Sequence, residues 1–232
     1  MIHIGYGMLG KENEELDVHS RSILLFVFVM LPPAMHAVNS GTARCGVLEQ
    51  AYLYYSPDKD HPLPAVMLLH GAGDRAGNMV DAWQRFAEKQ KIVLLAPELP
   101  RDPKFEDARH FVGIDAQRVY LFGNSMGGYL AFDGAMFESQ YFAAVAVHAN
   151  RIAEDYVGIV DRAQRKTPIA IYIGDHDQFF SVESVRKTRD LLLKSGFQVH
   201  YVELPNHDHN YYARADEINA DAWKFLKENR LP

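Results

Sequence analysis

The segment Gly123-Asn-Ser-Met-Gly-Gly constrains the fold of this chain more than any other feature. It fits the pattern G-x-S-x-G and lies between an apolar β-rich run, 118–122, and an apolar stretch, 126–137, that reads as a helix. Between a strand and a helix, this pattern indicates a sharp turn that holds a serine hydroxyl clear of a sheet. The pattern alone is weak, since composition produces it in on the order of one chain in ten of this length. Its setting makes Ser125 a candidate nucleophile, and the alternative is a tight turn with an N-capping serine.

The rest of the chain alternates short apolar runs with amphipathic stretches. The predicted strands are 51–55 (as an edge strand), 65–69, 92–96, 118–123, 142–147, 169–174 and 198–204. The predicted helices are 79–91, 126–137, 153–164, 182–194 and 213–227. This alternation predicts an α/β fold with a mostly parallel central sheet and helices on both faces. In such a sheet, reactive groups gather at the carboxyl ends of the strands.

Length and composition support a single domain, which we place at residues 41–232. The 232 residues are 48% hydrophobic, which is enough to build a sizeable core. The formal net charge of -6 disfavours a nucleic-acid partner, because an acidic protein repels phosphate backbones. The single cysteine excludes an internal disulfide and a cysteine-rich zinc site.

Residues 1–40 are predicted to be a leader. Arg21 precedes an apolar run, 23–31, which is followed by two prolines and a small-residue stretch ending near Ala37. This order is typical of a secretory signal peptide, and the run is too short to span a bilayer. The acidic residues before Arg21 are unusual for such a leader. We therefore expect a periplasmic or secreted protein; the alternatives are a buried N-terminal element and a cytoplasmic location.

A glycine-rich loop, His70-Gly-Ala-Gly-Asp, follows the predicted strand 65–69. If Ser125 attacks a carbonyl group, the carbonyl oxygen becomes negatively charged, and two fixed backbone N–H groups must stabilise it. In this type of fold one donor follows the nucleophile and the other lies in this loop. We predict an oxyanion hole formed by the N–H groups of Met126 and Ala72. His70 is expected to hold the loop through hydrogen bonds rather than to act as a base.

An acid and a base are predicted after the last two strands. Asp175 and Asp177 follow the strand 169–174, and Asp177 is favoured because it lies where the loop has turned towards the active-site face. Asp175 is expected to brace the turn. His207 and His209 follow the strand 198–204, and by position either could be the general base. The H-x-H pair also permits a metal site, although a clear third ligand is missing.

These motifs, in the chain order serine, aspartate, histidine, resemble the α/β-hydrolase superfamily over roughly residues 48–230. More narrowly, the chain resembles the small lidless carboxylesterases: polyhydroxybutyrate depolymerase-like and feruloyl esterase-like enzymes, and the dienelactone hydrolase and phospholipase/carboxylesterase groups. In these families a proline and two or three small residues precede the base. Alignment on Pro205 therefore implies His209 as base, with His207 in place of a small residue. The crossover 97–118 is short for its helix, and only 104–112 could form one.

The resemblance implies a serine hydrolase that cleaves a small-molecule or polymeric carboxylic ester through an acyl-enzyme on Ser125. Neither a metal nor an organic cofactor is implied, because the serine, histidine and aspartate supply nucleophile, base and acid. The alternatives are a thioesterase, peptidase or acyltransferase with the same residues, or a non-catalytic binding module. His148 is expected near the pocket, more as a structural residue than a lining one. Tyr211 and Tyr212 are expected either to form an aromatic wall or to pack against the last helix.

Overall fold

The structure, a computed structural model, describes residues 37–45, 48–58, 60–99 and 113–232. All of them belong to one compact unit, Met35–Pro232. Most of the predicted leader, residues 1–36, lies outside the described residues, as does the short helix predicted at 104–112.

The described residues form one eight-stranded sheet in the order β1-β2-β4-β3-β5-β6-β7-β8. The strands are β1 (Asn39–Cys45), β2 (Leu48–Tyr55), β3 (Leu63–Leu69), β4 (Val93–Pro97), β5 (Ile114–Asn124), β6 (Ala144–His148), β7 (Ile169–Gly174) and β8 (Val199–Leu204). From β4 to β8 across the sheet every neighbouring pair is parallel, whereas β1 and β2 join in antiparallel fashion. The predicted α/β-hydrolase fold with its mostly parallel sheet is confirmed.

Four α-helices cover the sheet in the described part of the chain. They are α1 (Ala76–Gln90), α2 (Met126–Phe137), α3 (Val182–Lys194) and α4 (Ala215–Leu226), and two 3₁₀ helices lie at Glu154–Arg162 and Tyr211–Arg214. The helix predicted at 153–164 is present as the 3₁₀ helix Glu154–Arg162, and the last predicted helix is divided at Ala215. None of the helices in the described residues has the length and apolarity to cross a bilayer.

Two separate cores lie on the two faces of the sheet. On one face, Leu69, Leu121 and Val147 pack with buried residues of α2 and α3. On the other face, alternate residues of the same strands, such as Leu68 and Phe122, pack with α1 and α4. Because both faces are covered, β3 is buried almost throughout, which explains its continuously apolar sequence.

The strand β1 was not predicted, and its presence means that β2 is not the edge strand of the sheet. Residues 51–55 were expected to form an edge strand, but β1 pairs with β2 from Asn39↔Tyr54 to Cys45↔Leu48 and takes the edge itself. The sequence of β1, NSGTARC, lacks the apolar alternation that marks a strand. Its first two residues fall inside the predicted leader limit at residue 40.

Candidate active site

Ser125 lies on a strained turn between β5 and α2. Its φ of 52° and ψ of -117° place it in a region that residues with a side chain rarely adopt. Two hydrogen bonds hold this conformation from the neighbouring β6 loop. The Ser125 N–H donates to the carbonyl oxygen of His148 (3.0 Å), and Asn150 Nδ2 donates to the carbonyl oxygen of Ser125 (2.6 Å).

The glycines on either side of Ser125 permit close backbone contact. A Cβ atom at Gly123 would overlap the backbone of Gly127, and one at Gly127 would overlap the carbonyl oxygen of Leu69. The turn therefore needs glycine at both positions, as the sequence pattern predicts. This packing brings α2 against the end of β3, next to the glycine-rich loop.

Ser125, His209 and Asp177 form a continuous hydrogen-bonded chain. His209 Nε2 lies 2.8 Å from Ser125 Oγ, and His209 Nδ1 lies 2.8 Å from Asp177 Oδ2. Because a carboxylate only accepts, Nδ1 carries the proton and Nε2 is free to accept from the serine hydroxyl. The geometry is that of a serine with an adjacent base, which a carboxylate orients in turn.

Asp177 is held in its ionised form. Burial acts to raise the pKa of this carboxyl, but hydrogen bonds from His209 and from the N–H groups of Phe180 and Phe179 outweigh it, and the pKa is lowered. The two N–H groups donate to Asp177 Oδ1 at 2.9 and 2.8 Å, while Oδ2 faces His209. The carboxylate therefore has a fixed orientation and a full negative charge at neutral pH.

Asp175, the other candidate acid, does not contact His209. Its Oδ1 accepts from the backbone N–H of His207 at 3.3 Å. This contact joins the two loops, as the prediction of a bracing role requires.

The segments that carry the predicted oxyanion donors lie on either side of Ser125. Met126 is the first residue of α2, so its N–H has no partner within the helix. Ala72 lies in the loop after β3. Gly71, the residue before Ala72, is so close to Ser125 that a Cβ at Gly71 would be 3.4 Å from Ser125 Cβ. The Asp74 N–H donates to the Gly71 carbonyl oxygen at 3.2 Å, which closes the loop into a turn.

His70 holds this loop and does not contact Ser125. Its Nδ1 lies 2.8 Å from the Gly71 carbonyl oxygen, and its Nε2 accepts from the Leu99 N–H at 3.0 Å. One ring nitrogen therefore donates and the other accepts, and Glu98 Oε2 lies 3.7 Å from Nε2. These contacts match the structural role predicted for His70.

The two histidines of the H-x-H pair face different partners. His209 faces Ser125, whereas His207 is 2% exposed and lies with its Nε2 3.0 Å from His148 Nε2. His148 is fully buried, and its Nδ1 lies 2.8 Å from Asn124 Oδ1. In the part of the chain that the structure describes, no group of three or more His, Cys, Asp or Glu side chains is placed to hold a metal ion.

Burial lowers the pKa of both His148 and His207. Burial, followed by the charges of His207 and His209, lowers the pKa of His148 to about 3. Burial also lowers the pKa of His207, and the charge of Arg214 acts in the same direction.

Aromatic side chains surround His209. Phe179 is 69% exposed and meets the His209 ring edge-on at 4.6 Å, and the Phe180 ring lies 5.9 Å from it. Tyr211 is fully buried and donates to Asn219 Oδ1 of α4, so it packs against the last helix. Tyr212 is partly exposed and donates to Asp74 of the glycine-rich loop.

Sequence reasoning missed Asn150, Asn124 and Phe179 as neighbours of the reactive groups. Asn150 follows β6 by two residues, at the same edge of the sheet as the other loops. The position of Asn150 after a predicted strand could have marked it as a candidate, but the residues after β6 form no recognisable motif. Phe179 could be suspected only from its place two residues after Asp177.

Comparison with known proteins identifies the family. Residues 101–229 match the sequence model of the dienelactone hydrolase family, and this range contains Ser125, Asp177 and His209 but not the loop with Ala72. No curated protein sequence matches the chain significantly.

Solved structures share the fold at low sequence identity. A thermostable esterase superposes with a TM-score of 0.66 at 21% identity, over 83% of this chain and 63% of its own. The S-formylglutathione hydrolase of Agrobacterium tumefaciens has a TM-score of 0.65 at 18% identity, over 85% of this chain and 96% of its own. The acylaminoacyl peptidase of Pyrococcus horikoshii has a TM-score of 0.68 at 12% identity, over 85% of this chain and 42% of its own. The chain thus spans less than two thirds of the first and the last of these proteins.

The depressed pKa of His148 predicts a pH-dependent stability. Between about pH 6.5 and pH 3 the unfolded chain binds a proton at this residue and the folded protein does not. The free energy of unfolding therefore falls as the pH is lowered through this window, by at most about 1.4 kcal/mol per pH unit from this group. Urea unfolding at several pH values between about 7 and 4.5 measures the slope.

His148→Asn should flatten the slope, and His61→Asn, at a side chain that is 77% exposed, should leave it unchanged. The comparison cancels groups common to both proteins, including Asp133, whose pKa burial raises to about 6. Equal slopes for the wild type and His148→Asn would contradict the prediction.

Proposed function

The chain belongs to the dienelactone hydrolase family, and we propose that it cleaves a carboxylic ester through an acyl-enzyme on Ser125. The observation that carries the proposal is the chain of two 2.8 Å hydrogen bonds from Ser125 through His209 to Asp177. A serine hydroxyl is a weak nucleophile until an adjacent base accepts its proton. His209 is such a base, and its other ring nitrogen is fixed by a carboxylate.

In the acylation step, Ser125 Oγ attacks the ester carbonyl carbon while its proton passes to His209 Nε2. Asp177 stabilises the resulting imidazolium by its negative charge and keeps the ring in the productive tautomer. The tetrahedral intermediate then collapses, and His209 returns the proton to the leaving alcohol as the C–O bond breaks. The acyl group remains as an ester on Ser125.

The developing oxyanion requires donors that are already in place. The N–H groups of Met126 and Ala72 are proposed to fill this role, because they lie on the two segments that flank Ser125. The hydrogen bonds of His70 hold the Ala72 loop. Tyr212, which follows His209 in the sequence, donates a hydrogen bond to Asp74 of the same loop. These contacts reduce the reorganisation needed as the charge forms.

In the deacylation step, a water molecule attacks the acyl-enzyme with His209 again as base. The proton then returns to Ser125 Oγ as the carboxylic acid leaves. Every proton that moves in the cycle passes through His209 Nε2.

The proposed substrate has an apolar group next to the scissile bond. Phe179 is a large side chain left 69% exposed at the rim of the site, in contact with the His209 ring. Asp177 accepts from the backbone N–H of this residue, so the Phe179 backbone is joined to the carboxylate that orients the proposed base. An ester that covers Phe179 gains about 0.8 kcal/mol for each methylene removed from water.

Ser125→Ala should abolish hydrolysis of p-nitrophenyl acetate and butyrate. Loss of the nucleophile lowers kcat by about 10⁶-fold in a comparable enzyme and leaves only a small residual rate. Ser195→Ala, at the C-cap of α3, is the matched control and should keep wild-type turnover. Unchanged turnover by Ser125→Ala would contradict the proposal, and parallel assays with a thioester and an anilide would distinguish an esterase from the alternative acyl hydrolases.

Phe179→Ala should change specificity rather than turnover in general. The ratio of kcat/KM for the butyrate ester to that for the acetate ester should fall about 3- to 10-fold, because two methylenes lose an apolar contact. A second series with constant acyl group and longer alcohols locates the contact on the leaving-group side. Phe137→Ala, at the far end of α2 and 45% exposed, is the control. No change in either series would exclude Phe179 as a specificity determinant.

We also propose that a leader within residues 1–40 directs export and is cleaved after Ala37. Such a cleavage would leave β1, which begins at Asn39, intact. N-terminal sequencing of the protein recovered from outside the cytoplasm should give Val38 as the first residue. A protein that stays in the cytoplasm with its first residues attached would refute the proposal.

A further inference from the structure

We propose that His148 and His207 are positioning residues that set the distance between the Ser125 turn and the His209 loop. The proposal rests on the reaction proposed above, because it concerns the two groups between which the proton moves. The structural basis is a buried chain of hydrogen bonds from Asn124 Oδ1 to His148 Nδ1 (2.8 Å) and from His148 Nε2 to His207 Nε2 (3.0 Å).

The direction of these hydrogen bonds follows from the chemistry of the groups. The amide oxygen of Asn124 only accepts, so His148 Nδ1 must carry a proton and donate. A neutral His148 then has an unprotonated Nε2, which accepts. His207 Nε2 must therefore be the donor of the second bond, and each bond of the chain has one donor and one acceptor.

The first end of the chain is the nucleophile turn. Asn124 directly precedes Ser125, and the backbone of His148 accepts from the Ser125 N–H at 3.0 Å. His148 thus holds this turn twice, by its carbonyl oxygen and by its ring. Both bonds fix the position from which Ser125 Oγ points towards His209.

The other end of the chain is the base loop. His207 precedes His209 by two residues, and its carbonyl oxygen accepts from the His176 N–H at 2.9 Å. Its own N–H donates to Asp175 Oδ1 at 3.3 Å. His207 therefore joins the base loop to the acid loop by its backbone and to the nucleophile turn by its side chain.

None of the three side chains joined by these buried hydrogen bonds can contact a substrate directly. Asn124 is 7% exposed, His207 is 2% exposed and His148 is fully buried. Buried polar groups rigidify a structure when every member has a partner, and they destabilise it when one partner is removed. An effect of His207 on the reaction must therefore pass through the position of Ser125 or His209.

The test compares His207→Leu with His207→Gln. Leucine removes the donor to His148, whereas the Gln amide nitrogen lies near the position of Nε2 and can donate in its place. We expect kcat for p-nitrophenyl acetate to fall about 10- to 100-fold in His207→Leu, with KM within about 3-fold of wild type, because a displacement of about 1 Å between reacting groups has effects of this size. His207→Gln should restore kcat to within about 3-fold of wild type.

Thr167→Val is the matched control for loss of a buried hydrogen bond. Thr167 is fully buried, donates to the Ala135 carbonyl oxygen at 3.2 Å, and lies before β7, at the end of the sheet opposite to Ser125. This variant should lose thermal stability and keep kcat. Asn124→Leu, at the other end of the chain, should lower kcat as His207→Leu does, and the double variant should lose little more than either single variant.

A folded His207→Leu with kcat within 2-fold of wild type would overturn the proposal, as would a His207→Gln no better than the leucine variant. If neither His207→Leu nor Asn124→Leu folded, the buried hydrogen bonds would serve stability alone, and the proposal would also be overturned. Failure of the proposed reaction is a different result, since Ser125→Ala would then retain the wild-type rate.

Discussion

The site depends on the backbone conformation of Ser125, which no flexible loop could maintain. A positive φ at a residue with a side chain costs on the order of 1–3 kcal/mol, so the surrounding structure must impose it. Here β5 and α2 impose it from the two sides, and contact between Gly127 and the end of β3 leaves no room for a relaxed turn. The Ser125 N–H donates to the His148 carbonyl oxygen and Asn150 donates to the Ser125 carbonyl oxygen, and these two hydrogen bonds offset part of the strain. The hydroxyl is therefore presented at the end of an interior strand of the sheet.

The parallel sheet explains why distant segments can serve one reaction. The carboxyl ends of β3, β5, β6, β7 and β8 lie at one edge, and each of the loops that follow them contributes a group. Two kinds of connection align these loops. Asp177, His209 and Ser125 form one hydrogen-bonded chain, in which the His209 ring is partly exposed, and Asn124, His148 and His207 form a second, buried one. The first is polar and charged, and the second is neutral, which suits its burial.

The sequence predicted the parts of this site that local signals encode. Glycines around Ser125 and after β3 mark close backbone approach, and each lies directly after an apolar run, so fold and turn positions followed from the pattern. The choice between His207 and His209 depended on family resemblance, because two histidines two residues apart carry the same local signal. His207 is buried and His209 is partly exposed because the His207 ring contacts His148 of β6, which is 59 residues away in the sequence. The strand β1 escaped prediction for a similar reason, since its pairing with β2 rather than its composition makes it a strand.

The most direct test of the account is the site and rate of reaction with a fluorophosphonate, followed by peptide mass mapping. The account predicts one adduct, on the peptide that contains Ser125, and labelling at least 100-fold slower in His209→Gln, because a proton acceptor is then missing from the serine. An adduct at any other residue, or equal rates for the wild type and His209→Gln, would contradict the claim that Ser125 and His209 act as one unit.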